Sequence, residues 1–218
     1  MEKTIKFSKL EIVDLYMNDV EKNEKLPRSI FVFCANNDIE ETDFHHHFEN
    51  LKTLEAFIFE VFYENTIKLL YADEAFNNFE AQDKVLSFYY TFFELLAANK
   101  KFVHICLESK NKFSKILLYK DLREQYLHFI ESIDIDFIDI PIEQIEKTKD
   151  KIISNISWLK FILTIEYWLK DDSVAFEKTD VLIEKSVHTA FQLLNTKPLE
   201  SVLDLGKFLV KDIFPQKK

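Results

Sequence analysis

The chain has one glycine and four prolines in 218 residues, so it holds few of the residues that break or turn a backbone. Because that one glycine is Gly206, no glycine-rich loop can cradle a phosphate or a dinucleotide. There are two cysteines, Cys34 and Cys106, each set in an apolar helical pattern; they read as buried free thiols rather than a disulfide framework. No apolar run approaches the roughly 18 residues of a membrane span. The start carries Glu2, Lys3 and Lys6 with no apolar segment behind them, unlike a secretory signal, so a soluble, cytoplasmic protein without membrane contact is expected. Cations are the scarcer charge: 28 against 38 acidic residues gives a net −10, the reverse of the basic balance usual in nucleic-acid modules. What remains is 47% hydrophobic and 30% charged residues, interleaved as amphipathic helices require. An all-α fold follows.

Catalytic and metal constellations are weak. His45, His46 and His47 are consecutive, about 100° apart on a helix, and cannot converge on one ion. Glu124 with His128, and Glu184 with His188, are i,i+4 pairs of the kind that decorate helix surfaces. Asp134, Asp136 and Asp139 alternate with apolar residues in a segment, 133 to 141, that reads as an extended linker because no second strand exists to pair with it. The Glu-x-x-His repeats of a di-iron bundle are missing. Neither a metal, a cofactor nor an enzymatic activity is expected.

Periodicity places helices near 8–22, 28–35, 40–47, 51–71, 77–98, 101–109, 112–132, 143–170, 174–195 and 198–213. The first carries Leu10, Val13, Met17 and Val20 on one face. Pro27 suits a first helical position, and the short helix it opens should stop near Asn36 and Asn37, a residue type that tolerates left-handed backbone. Ile39 would anchor the turn. Glu40, Glu41 and Asp43 then favour the positive end of the next helix. Phe44 and Phe48, four apart, point inward, which leaves the three histidines mainly outward. After a break at Glu49 and Asn50, Leu54, Phe57, Ile58, Val61 and Phe62 form the apolar stripe of a long helix.

This short, short, long succession resembles the amino-terminal domain of the TetR family of bacterial repressors. Asp43-Phe44-His45-His46-His47-Phe48 stands where that family commonly has Thr-Leu-Tyr-His-His-Phe, and Leu54 where the fourth helix has its core leucine. The family's turn glycine is Asn37 here, its frequent recognition-helix lysine Glu41, its tyrosine His45, and the lysine opening the fourth helix Leu51, with Lys52 one place on. The resemblance implies a helix-turn-helix head over residues 1–50 and a helical ligand-binding and dimerisation domain over 51–218. It implies DNA contacts from Arg28, Ser29, Thr42, His45, His46 and Lys52, helped by an arm of Lys3, Lys6 and Lys9.

The larger part contains two unusually apolar helices. Residues 85–96 have only Ser87, Thr91 and Glu94 as polar positions, and residues 156–169 only Ser157, Lys160, Thr164 and Glu166. A late helix apolar nearly all round can bury one face at home and the other on a partner, so a homodimer joined near 143–170 and 174–195 is expected. Tyr89, Tyr90, Phe93, His104, Trp158 and Tyr167 offer an apolar, aromatic set with a few polar tips, suited to a small hydrophobic or aromatic effector. From Pro27 to Glu55, however, two cations face six anions, a balance that opposes phosphate. Two functions therefore stay open. One is a dimeric, effector-responsive transcriptional regulator; the other is a TetR-like ligand-binding or protein-interaction module without specific DNA reading.

Overall fold

The computed structural model describes residues 5–133, 135 and 146–194, and among them no strand occurs. Ten α-helices follow in order: α1 (Lys9–Asn23), α2 (Ile30–Asn36), α3 (Glu41–His47), α4 (Leu51–Ala72), α5 (Ala81–Ala98), α6 (Lys100–Glu108), α7 (Lys112–Leu118), α8 (Lys120–Ser132), α9 (Glu146–Trp168) and α10 (Glu177–Leu194). Short 3-10 turns at Glu74–Asn78 and Val174–Phe176 precede α5 and α10. The expected helix near 198–213, the linker residues Asp134 and 136–141, and Lys3 lie outside the described residues.

Two compact units form. The described residues of Met1–Glu74 and Thr91–His128 make the first, and those of Ala75–Tyr90 and Phe129–Lys218 the second. The divisions fall inside α5 and α8, so each of these helices contributes one end to each unit.

Capping chemistry sets the early boundaries. Ser8 accepts the Glu11 amide and Glu11 returns a bond to the Ser8 amide, a reciprocal box that starts α1. Asn50 accepts the amides of Lys52 and Thr53, which fixes the start of α4 beyond the expected break. The helix predicted to open at Pro27 opens later, because Ser29 is the better cap: its Oγ accepts the Val32 amide at 3.2 Å. Asp38, with φ 54°, takes the left-handed conformation in the turn instead of Asn36 or Asn37. A short polar side chain tolerates that region at modest cost.

Three further differences have packing causes. The buried face of α1 is Ile12, Val13, Tyr16, Asp19 and Val20, while Leu10 is exposed and Met17 half-buried, so the helix is rotated from the predicted stripe. The single helix expected over 112–132 is broken at Tyr119, whose buried ring meets Phe59 edge-on at 5.5 Å. The helix expected from 77 begins at Ala81, after a 3-10 turn that buries Phe76.

A buried carboxylate closes the link between α9 and α10. One oxygen of Asp171 accepts the amide and hydroxyl of Ser173 at 2.9 and 2.6 Å, and the other accepts the amide and hydroxyl of Thr179 at 2.8 and 2.6 Å. Burial pushes the carboxyl pKa up, but these four bonds to the charged form outweigh it and hold Asp171 well below the usual carboxylate range. Its stabilising contribution is thus present above the ordinary carboxylate pKa and is lost as pH falls through the depressed folded value. Asp171→Asn, which replaces one acceptor oxygen by an NH2 group that faces two donors, should lower the melting temperature at neutral pH. It should also flatten the loss of stability in acid, as measured by thermal melts across pH.

Candidate nucleic-acid interface and effector site

The α2–turn–α3 segment is held from beneath by aromatic packing. Phe33 on α2 meets Phe44 on α3 edge-on at 6.0 Å, Tyr16 on α1 meets Phe33 at 5.3 Å, and Phe48 packs at 5.8 Å from Phe44 and 5.7 Å from Phe57 on α4. Ile39 is buried in the turn, its amide bonded to the Cys34 carbonyl at 3.0 Å. Asp19 on α1 accepts the Asn36 side chain at 3.1 Å, tying the end of α2 to α1. With its inner face anchored, α3 presents Glu41, Thr42, His45 and His46 outward.

All six residues singled out for DNA contact, Arg28, Ser29, Thr42, His45, His46 and Lys52, are exposed. His47 differs from its neighbours: it is half-buried, with Nε2 at 2.8 Å from the Phe7 carbonyl oxygen. Lys9 of the expected arm is not free to reach outward either, since its Nζ sits 3.4 Å from the Phe57 ring centroid. Of the six anions counted in this stretch, Asp43 and Glu55 are buried. The exposed balance is therefore Arg28 and Lys52 against Asp38, Glu40, Glu41 and Glu49.

Glu55 has a role that the sequence count concealed. Its Oε1 accepts the Tyr16 hydroxyl at 2.6 Å, and its Oε2 lies 2.7 Å from the Lys110 ammonium, both side chains of the ion pair being nearly inaccessible. One carboxylate thus joins α1, α4 and the residue just beyond α6. Burial and the adjacent carboxylate raise the Tyr16 phenol far above its ordinary pKa. The neighbouring Cys106 thiol is pushed up to about 12, mainly by burial and against the pull of Lys110. A sequence signal existed: Tyr16 and Glu55 both fall at buried helical spacings, beside Ile12 and Val20 and beside Leu54 and Ile58.

The six aromatic and polar candidates for an effector divide between the units. Phe93, buried beside Phe92, and His104, with Nδ1 at 3.5 Å from Glu108, belong to the first. Tyr89, Tyr90, Trp158 and Tyr167 belong to the second. There Tyr89 and Trp158 converge on the buried ring of Phe161, at 5.6 and 5.7 Å, and Phe88 stacks on Phe129 at 4.7 Å. Tyr90 is half-buried, and Tyr167 is 41% exposed on the outer side of α9. Lys160 escaped notice in the sequence, where it was one polar position among apolar ones; its Nζ lies 3.8 Å from the Tyr89 ring centroid. Among the described residues no cluster of histidine, cysteine and acidic side chains is arranged to hold a metal, and no helix is long and apolar enough to cross a membrane.

Residues 84–209 match the family model described as Tetracyclin repressor-like, C-terminal domain. The chain belongs to the TetR family of transcriptional regulators. None of the curated proteins compared with it matches. Membership accounts for the described helices from α5 onward, and the predicted TetR resemblance, which rested on residues 43–54, points to the same family from the other end of the chain.

In this TetR family member the Glu55 cluster generates a quantitative expectation. Lys110→Met would leave a buried carboxylate without its counter-charge and should cost about 3–5 kcal/mol. Tyr16→Phe, which removes one bond to a charged acceptor, should cost about 1.5–3 kcal/mol. Adding Glu55→Gln to Lys110→Met should restore part of the loss, giving a strong coupling in a denaturant-based double-mutant cycle.

Proposed function

We propose that this TetR family chain is a dimeric transcriptional regulator that reads DNA through residues 28–47 and Lys52 and answers a small hydrophobic or aromatic effector. The head is assigned to residues 1–50 and the effector-binding and dimerisation region to 51–218. The observation that carries the reading is the helix-turn-helix over 30–47, whose α3 is pinned by Phe44 and Phe48 while Thr42, His45 and His46 stand outward. Burial of Glu55 and Asp43 favours DNA reading over the non-DNA alternative, because it removes two anions from the charge that phosphate would meet.

Dimerisation is supported by α9. Ile156, Leu159, Leu163 and Tyr167 follow one another at helical spacing and are 62, 58, 58 and 41% exposed, while Phe161, Ile165 and Trp168 on the opposite face are buried. On α10, Val181 and Leu193 are exposed as well. A contiguous apolar stripe of this kind fits a self-complementary partner surface. Effector binding is assigned to the aromatic set around Phe161, with Tyr89 and Trp158 as its walls. A ligand there would act by favouring one conformation of the dimer and so changing the separation of the two heads.

Leu159→Asp with Leu163→Asp should convert the dimer to the mass of a single chain in light scattering while leaving the helical content unchanged. Selection from random duplexes at low salt should enrich a symmetric site. Arg28→Ala should weaken binding to every sequence, whereas Thr42→Ala or His46→Ala should change which sequence is preferred. With two exposed cations per head, the salt dependence should be shallow, each phosphate neutralised adding only about 0.9 to the logarithmic slope. Enrichment of nothing would leave the non-DNA module as the reading.

A further inference from the structure

Lys160 stands out among the polar groups of the second unit. Its ammonium nitrogen is buried, has no hydrogen-bond acceptor among the described residues, and rests 3.8 Å from the centroid of the fully buried Tyr89 ring. The next residue, Phe161, is the ring on which Tyr89 and Trp158 converge. An ammonium carries three donors, and an aromatic face satisfies its charge without accepting a directed bond from each. Leaving such a group buried without acceptors is costly, and costs of that kind are retained where a ligand supplies the missing partner.

We propose that Lys160 is the anion-reading group of the effector site, and that the effector is a monocarboxylic acid with an apolar body. The assignment rests on the effector reading above and narrows it from hydrophobic compounds in general to hydrophobic acids. The rings of Phe161, Tyr89 and Trp158, the first two fully buried as they stand, would part to receive the body, and Lys160 would supply donors for the carboxylate. The surroundings suit a switchable charge. Burial, the only cause acting on it, lowers the Lys160 pKa to about 7, so at neutral pH the amine is poised to take a proton when an anion arrives. Tyr89 on α5 is the titratable side chain it touches. On α10, Asp180 and Glu184 act on Tyr90 and do not figure in the shift at Lys160. On α9 itself, Thr164 donates to the Lys160 carbonyl oxygen and leaves the ammonium untouched.

Calorimetric titration of the full chain with octanoate and 2-naphthoate, each beside its matched alcohol, tests this directly. The acids should bind the wild type about tenfold or more tighter than the alcohols at about pH 6.5, the ratio one charge-assisted hydrogen bond supplies. That preference should shrink toward about pH 8.5, because the amine then lacks its proton in the free protein. Lys160→Met should abolish the preference and leave alcohol binding within a factor of about two. It should also melt no lower than the wild type, since it removes a buried group without acceptors; a purely structural lysine would instead be missed. Equal binding of acid and alcohol by the wild type, or a preference that survives Lys160→Met, overturns the acid assignment while leaving the effector reading in place. Binding of neither class overturns the acid assignment and counts against the effector reading as well.

Discussion

A single buried carboxylate governs how the amino-terminal helices meet. Glu55 lies in the middle of the first unit's core, where an unpaired charge would be prohibitive, so its two oxygens must find the Tyr16 hydroxyl and the Lys110 ammonium. A pair of this kind gains little net stability over apolar residues of the same volume. Its effect is on uniqueness. Only one rotation of α1 brings Tyr16 to Glu55, and that rotation turns Leu10 outward and Asp19 inward, where Asp19 can hold Asn36. The placement of α2 and α3 is inherited from that choice.

The same burial alters the electrostatic problem posed by an acidic helix-turn-helix. Exposed cations near α3 are few, and Lys9 is engaged with Phe57 and Phe48 rather than projecting as an arm. If this segment reads DNA, counterion release can supply little of the affinity. Polar side chains such as Thr42, Ser29 and the imidazoles of His45 and His46 would have to carry more of the contact, which favours discrimination over grip.

Much of the architecture was legible in the sequence because periodicity reports burial directly. The inward Phe44 and Phe48, the break at Glu49 and Asn50, and the doubly apolar α9 all follow from spacing alone. What escaped was what depends on distant partners. The break at Tyr119 carries neither glycine nor proline; it arises where the ring packs on Phe59, sixty positions earlier. The α1 stripe was misread because Leu10 and Met17 look like core residues and Tyr16 and Asp19 do not, until their bonding partners are known. Glu55 was counted only among the anions that oppose phosphate, and Lys160 only as one polar position on an apolar helix, because spacing does not show the Tyr16, Lys110 and Tyr89 side chains that meet them.

Helix α9 concentrates these constraints in a few residues. Leu159 faces outward, Lys160 turns its tip beneath Tyr89, and Phe161 is buried among aromatic rings, so three consecutive positions serve three environments. The Asp171 network at its end fixes where α10 begins, because the Thr179 amide and hydroxyl are bound to the same carboxylate that holds Ser173. The helix is therefore restrained at its carboxyl end while its middle carries both the uncovered apolar stripe and the ammonium. On that helix Lys160 stands within four residues of Ile156, Leu159 and Leu163 of the exposed stripe. If the proposed ligand and the proposed partner both bind this helix, coupling between them needs no longer route than its width, and any two-state shift would be limited to the difference in the ligand's affinity for the two arrangements.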